Sequence, residues 1–431
     1  MKSTNNYNKT IKNLFFTVLV FAFTMPAMAG KMLIPMDLTQ TDHLKSYGYI
    51  YWILGENQDV DWLLNYRGGA FMHDFKEDFA TECRVRGIDY ELVEDGEAAS
   101  ILAQIKSEDV NQDVVKLEKQ PKIAVYAPPS GKNSQPWDDA VRIALDYAEI
   151  EHELIWDKEI INGELSKYDW VHLHHEDFTG QYGKFYANYR NAPWYIDQVN
   201  MNESLALELG FSKVSEMKKA VVLKLREFIA GGGFQFAMCS GTDTYDIALA
   251  VMEVDIAASV YDGDAADPLM NQKLNYDNTF AFKDFSIVTD PYEYEYSTID
   301  VDPREFLDES SDYFTLFEFS AKYDPVPTML TQCHVNLVKG FMGQTTAFRK
   351  QYLKPSVTIL GIREGTDQVR YIHGSFGRGT WTWYAGHDPE DYRHAVGDPT
   401  TDLSLHRRSP GYRLILNNVL FPAAKKKKQK T

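Results

Sequence analysis

Cys239, a candidate nucleophile, stands in the run FIAGGGFQFAMCSGTDTYDIALAVM, residues 228–252. Residues 215–229 space Val221, Val222, Leu225 and Ile229 along one helical face, and three glycines then break that helix. Residues 234–238 read as a short buried strand, after which Ile247, Val251 and Val254 restore helical spacing. Small neighbours, Ala237 and Gly241, let a backbone bend sharply enough to present a side chain above a sheet edge. The N–H groups opening the next helix would favour a thiolate there, and those near Ser240 would stabilise an oxyanion. The competing reading is a buried cysteine acting as a small hydrophobe.

A thiol nucleophile needs a base and a group to orient that base. In GRGTWTWYAGHDPEDY, residues 377–392, an alternating aromatic strand ends in Gly386, and His387 follows with Asp388 and Glu390 close behind. His387 is the candidate base and acid, and Glu390 its orienting carboxylate; the other reading of the same string is a surface turn. The densest set of ligand types is His172, His174, His175, Glu176 and Asp177. Strand alternation puts His172 and His174 on one face, so with Asp177 they make a candidate divalent-metal set. Alternatively His174, His175 and Asp177, with Ser240 and Arg378, contact a substrate without metal. Asp262, Asp264 and Asp267 are spaced loosely for calcium, and Ser130-Gly131-Lys132 is a fragment of a phosphate loop.

These residues need a scaffold, and the pattern supplies one. Residues 30–118 form a smaller N-terminal α/β unit, with strands at 32–36, 60–66 and 88–94 and a helix at 43–54. Residues 119–422 form a second unit, with strands at 122–126, 152–156, 168–173 and 234–238 and helices between them. Strands alternating with helices predict parallel sheets, whose ligands sit at the strands' carboxyl ends. Residues 255–339 are acidic, aromatic and turn-rich, and read as an insertion packed over the sheet or closing as a lid. Residues 423–431 read as a basic disordered tail.

Residues 1–29 have the form of a secretory signal: Lys2, Lys9 and Lys12, an apolar run over 14–23, then Ala27-Met28-Ala29. The expectation is export, to the periplasm if the source is Gram-negative, with no integral membrane segment. The formal charge of −18 argues against nucleic acid as a partner and leaves a small-molecule substrate. Besides Cys239 the sequence holds Cys83 and Cys333, which could pair and leave one free thiol.

The order strand, helix, strand, strand, glycine-rich elbow with cysteine, then late strand ending in His-x-x-Glu resembles the class I glutamine amidotransferase-like superfamily. That resemblance covers 121 to about 422 and implies a flavodoxin-like parallel sheet with Cys239, His387 and Glu390 as catalytic residues. Ala237 stands where the family motif has its first glycine, and two residues rather than one separate His387 from Glu390. Residues 377–392 are also similar to ThuA-like proteins. Membership there implies a carbohydrate-acting protein in which crevice aromatics stack on sugars and His174, His175 and His387 supply acid–base or metal chemistry. The whole chain, including LLNYRGG at 63–69, resembles exported Bacteroidota proteins labelled asparagine synthetase B, which implies glutamine-dependent amide transfer. No Ser-Gly-Gly-x-Asp phosphate loop accompanies that likeness. Three readings follow: a cysteine-dependent hydrolase or amidotransferase-like enzyme, a ThuA-like carbohydrate-acting protein, and a binding or scaffold protein without catalysis.

Overall fold

The computed structural model describes residues 30–129, 139–301, 305 and 308–425. The signal segment at 1–29, the Ser130-Gly131-Lys132 fragment and residues 426–431 of the tail lie outside the described residues. The chain is a mixed α/β protein, with two sheets among the described residues.

The first sheet comprises β1 (Gly30–Ile34), β2 (Val60–Leu64), β3 (Phe71–Asp74), β4 (Glu91–Glu94) and β5 (Asp113–Leu117), in the order β4-β1-β3-β2-β5. Every pairing in it is antiparallel, which corrects the parallel expectation. The helix α1 (His43–Gly55) does cross between two strands of like direction, but β3 inserts between β1 and β2. The unit is a split β-α-β, and alternation along the sequence does not distinguish it from a continuous one. Both faces are covered. Met32, Ile34, Trp62 and Phe71 pack toward α1 and α2 (Glu77–Arg86), while Leu33, Leu63 and Met72 pack toward α3 (Asp95–Lys106).

The second sheet comprises β6 (Ile123–Tyr126), β7 (Glu153–Ile155), β8 (Trp170–Leu173), β9 (Phe234–Met238), β10 (Tyr313–Leu316), β11 (Leu337–Lys339), β12 (Phe348–Arg349), β13 (Thr358–Ile362), β14 (Gln368–Phe376) and β15 (Gly379–Tyr384). Its order is β11-β10-β13-β14-β15-β9-β8-β6-β7, with β12 on β14. Here too the expectation needs correction, because the sheet is mixed. From β15 to β7 the pairings are parallel, and from β14 to β11 they are antiparallel. The parallel strands alternate their faces. Ile123, Val125, Trp170 and Phe236 meet α4 (Ala140–Tyr147) and the later C-terminal helix, whereas Ala124, Tyr126, Val171 and Ala237 meet helices on the other side.

Those helices include α5 (Asp157–Ile161) and, beyond the short α6 (Tyr186–Tyr189) and α7 (Pro193–Glu208), α8 (Val214–Ala230) and α9 (Ser240–Ala250). Val221, Val222, Leu225 and Ile229 are the buried stripe of α8, as their spacing predicts. Beyond α10 (Ser259–Asp262), residues 280–301 pack irregularly on the same core, with Phe280, Phe282, Tyr296 and Ile299 buried. The rest of the expected insertion joins the sheet: β10 and β11 extend it, with α11 (Pro325–Leu330) between them in the chain. A buried pair fastens this extension, Arg370 Nη2 lying 2.8 and 2.7 Å from the two carboxylate oxygens of Asp312.

The C-terminal helix α12 (Pro410–Leu420) is buried along its length and packs on α1, α4 and α11. The tail begins later than residue 423, since Ala424 bridges Leu117 on β5 and Lys425 N donates to Lys116 O. Cys83, Cys239 and Cys333 are all free, so of the two arrangements the sequence left open, a Cys83–Cys333 pair or three reduced thiols, the structure has the second. Among the described residues no helix is long and apolar enough to cross a membrane.

Candidate functional site

The carboxyl ends of four parallel strands stand side by side: Tyr126 pairs with Leu173, Leu173 with Ala237, and Met238 with Tyr384. The residues that follow them, His174 and His175, Cys239, and His387, therefore gather at one edge of the sheet. Sheets of this kind take their ligands at that edge.

Cys239 joins β9 to α9 with φ 50° and ψ −140°, a backbone conformation rare outside glycine. Gly241 makes the turn possible. Its N–H donates to the His174 carbonyl at 2.6 Å, and a β-carbon there would lie 2.1 Å from that oxygen. The small residue after the cysteine thus docks α9 onto the end of β8.

The sulfur is buried, accepts from the Gln344 N–H at 3.2 Å, and also faces the Ser240 and Thr345 N–H groups. Burial outweighs these donors and pushes the thiol up to about 11, so it is protonated at neutral pH. Cys239 and His387 are neighbours across Gly343: a β-carbon on that glycine would lie 3.1 Å from Sγ and 2.8 Å from the His387 backbone nitrogen. The imidazole does not engage the thiol, however. Neither ring nitrogen of His387 has a hydrogen-bond partner among the described residues.

Glu390 is turned away from His387, against expectation. Asp388 Oδ1 accepts from the N–H groups of Glu390 and Asp391 at 2.9 and 3.3 Å. This tight turn sends the Glu390 carboxylate to His406 Nδ1, 3.0 Å away. The other Asp388 oxygen accepts from Thr401 at 2.8 Å, so neither carboxylate orients His387.

The edge gathers imidazoles instead. Ring centroids of His174 and His387 lie 4.4 Å apart, those of His174 and His175 4.9 Å, and those of His175 and His387 5.6 Å. One ligand atom from each of His174, His175 and His387 falls within 4.8 Å of the others. His394 stacks on His387 at 4.2 Å, its rings nearly parallel at 6°. Two of these imidazoles are backed by carboxylates: His174 Nδ1 lies 3.1 Å from Asp139 Oδ1, and His394 Nδ1 lies 3.0 Å from Asp391 Oδ2. Asp139 reaches His174 from the start of α4, which it caps by accepting from Val141 N and Arg142 N.

Burial dominates the electrostatics. It pushes His387 well below its ordinary value, helped by His174, His175 and His394, and lowers His174 and His175 in the same direction. Burial also raises the Glu176 carboxyl to about 8, against the opposing charge of Lys218. Asp139 goes the other way: burial would raise it, but His172 and His174 hold it well below the usual carboxylate range.

The remaining candidates fall into place around this cluster. His172 does share a face with His174, but its Nδ1 sits 3.2 Å from the Phe236 carbonyl and its Nε2 3.3 Å from Asp139, behind the cluster. Asp177, expected as a ligand or substrate contact, accepts from the N–H groups of Thr179, Gln181 and Gly183 and organises its own loop. It belongs to none of the potential ligand groups. Ser240 is buried beside the thiol with its hydroxyl unpartnered among the described residues. Arg378 lies in the turn before β15 and donates to Gly231 O, at the opposite end of the strand from His387. The expected calcium residues are held by lysines: Lys213 Nζ lies 2.6, 3.0 and 2.5 Å from Asp255, Asp262 and Asp264, and Asp267 pairs with Lys273.

Asp139 and His394 were not singled out from the sequence. Asp139 carried only a helix-capping signal, and His394 only its place in the string after His387.

No protein-family model and no curated protein matches this chain. Among solved structures the chain is similar to a cytoplasmic protein from Salmonella typhimurium at 9% identity, over 71% of this chain and 100% of that one, with TM-score 0.33. A second cytoplasmic protein from Salmonella typhimurium LT2 aligns at 11% identity over 70% and 99% of the two chains, TM-score 0.32. A catalytic mutant of a GH42 beta-galactosidase from G. stearothermophilus aligns at 11% identity over 62% of this chain and 27% of that one, TM-score 0.27. Likenesses this distant carry no functional argument.

Proposed function

We propose that this chain is an exported enzyme of the amidotransferase-like, ThuA-like kind that acts on a small carbohydrate or similarly polar substrate through imidazole chemistry rather than a thiol nucleophile. The observation that carries the reading is the convergence of His174, His175 and His387 at the carboxyl ends of the parallel strands, while Glu390 is committed to His406. Taken in chain order, β6, β7, β8, β9 and β15 lie in the spatial order 2-1-3-4-5, which supports a flavodoxin-like core. Neutral imidazoles accept protons, and the Glu176 carboxyl stands beside them, its Oε1 3.7 Å from His175 Nε2.

Substrate class follows from the rim. Exposed Tyr292 and Tyr294 stand with Tyr186 and Phe185, ring centroids 6.2 and 6.1 Å apart, and the Gln344 side chain links this patch to the thiol's loop by donating to Tyr294 O. Flat aromatic faces beside polar groups suit sugar rings. Turnover of a panel of chromogenic glycosides, with glutamine hydrolysis alongside, tests the reading. His387→Ala should cost about 10²–10⁴-fold, the range for losing an acid–base group, with Cys239→Ala retaining turnover. Glutamine hydrolysis abolished by Cys239→Ala would overturn it in favour of the cysteine enzyme.

A further inference from the structure

The imidazole cluster has the parts of a metal centre. His174 presents Nε2 into the cluster while its Nδ1 is held by Asp139 at 3.1 Å, and Nε2 has no hydrogen-bond partner among the described residues. A histidine that ligates a metal commonly gives its other ring nitrogen to a carboxylate in this way, which fixes the tautomer and aims the ligating atom. Both ring nitrogens of His387 are buried and unpartnered among the described residues, although burying such groups without a partner is costly. His394 repeats the pattern behind His387, with Nδ1 on Asp391 and a buried Nε2 unpartnered among the described residues. Elements distant in sequence thus bring the His174 and His387 rings, with their buried unsatisfied nitrogens, to 4.4 Å between centroids.

We infer that His174, His175 and His387 form a three-histidine centre for a zinc-class divalent cation, with Asp139 as the carboxylate behind His174 and the fourth position open to water or substrate. The ligand atoms lie within 4.8 Å of one another and would close to about 3.3 Å around a bound ion, as zinc–nitrogen bonds of about 2.0–2.1 Å in a tetrahedron require. An all-nitrogen set selects zinc, cobalt or nickel over magnesium and calcium, which prefer oxygen. Three protein ligands and a vacant fourth are the pattern of catalytic rather than structural zinc. These are the three histidines that the ThuA likeness implies for acid–base or metal chemistry; the set His172, His174 and Asp177 is not assembled, because His172 Nδ1 sits on Phe236 O while its Nε2 groups with Asp139 and His174, and Asp177 accepts from its own loop. The assignment rests on the same site as the function proposed above, and deepens it.

Binding of metal alone tests the centre. Full-length protein stripped by a chelator is titrated with Co(II), read by visible absorption, and with Zn(II), read by calorimetry. One equivalent per chain is expected, with the intense visible bands of four-coordinate cobalt. His174→Ala and His387→Ala should each remove that equivalent, and Asp139→Asn should weaken it about 10–100-fold while keeping the stoichiometry. Excess Mg(II) or Ca(II) should not displace it. Circular dichroism establishes that each variant is folded, and His387→Gln replaces His387→Ala should the latter fail. No bound equivalent, or one that survives His387→Ala and disappears in Asp391→Asn, would overturn the assignment; the latter places the ion at Asp391, His394 and Asp398. The two proposals separate cleanly. Cobalt bound as expected with turnover indifferent to His387 sinks the enzyme reading alone, and turnover lost in His387→Ala with no metal bound sinks the centre alone.

Discussion

The Glu390 carboxylate lies 3.0 Å from His406 Nδ1 on the far side of the Asp388 turn, and this contact takes away the carboxylate that a cysteine triad would require. Glu390→Gln should therefore leave turnover nearly unchanged, whereas loss of a triad carboxylate typically costs about 10⁴-fold. Stability should fall by less than about 1 kcal/mol, because the pair is partly exposed and screened by solvent. Steady-state kinetics and urea unfolding check both statements, and a collapse of turnover in this variant would restore the triad.

Gly343 separates Cys239 from His387 by the thickness of a bare backbone. In Gly343→Ala the new methyl would meet the His387 nitrogen at 2.8 Å, the Gly386 carbonyl carbon at 2.9 Å and the Cys239 sulfur at 3.1 Å. Overpacking against backbone costs about 1–3 kcal/mol. The variant should show a lower urea midpoint and faster labelling of Cys239, since its sulfur must be displaced.

Glu176 gives the protein a pH-dependent stability of definite sign. Its carboxyl is raised by burial from an ordinary 4.5 to about 8 in the folded state, so between those values the folded chain holds a proton that the unfolded chain releases. The stabilising contribution is full below about pH 4.5 and is lost as pH rises through about 8, with a slope of up to about 1.4 kcal/mol per pH unit. Glu176→Gln removes that titration. Its stability relative to the parent should therefore increase from pH 5 to pH 8, measured by urea midpoints at each pH; parallel curves would contradict the buried acid.

Both carboxylate oxygens of Asp312 accept from Arg370 Nη2, at 2.8 and 2.7 Å, and Oδ2 also accepts from the Tyr392 hydroxyl at 3.1 Å, all in the interior. Asp312→Ala takes the counter-charge from a buried guanidinium, which keeps its hydrogen bond to the Phe341 carbonyl. The expected loss is about 3–5 kcal/mol, far above a surface pair. Thermal unfolding of this variant against Lys31→Ala, which breaks an exposed pair with Asp74, makes the comparison within one protein.

The parts of this molecule visible in its sequence are those set by nearby residues. The Gly231–Gly233 break, the aliphatic stripe of α8 and the small residues around Cys239 lie within one stretch, and each element formed where that stretch indicates. Strand order is not local. The sequence of β1, α1 and β2 says nothing of β3 inserting between the two strands, so the first sheet's antiparallel pairing was hidden. Glu390 was misread because the Asp388 side chain folds the backbone into a turn and reverses the direction of the carboxylate two residues on. Asp139 and His394 escaped notice because an aspartate before a helix and a lone histidine in a polar loop have meaning only once distant strands bring them to the same rim.

The helix α12 lies with no face toward solvent from Gly411 to Leu420, touching α1 from one unit and α4 and α11 from the other. The two sheets consequently share a single interior. Dissection at residue 118 would strip hydrocarbon bare on both fragments, so the smaller sheet is a structural partner of the histidine-bearing one and not detachable as a module.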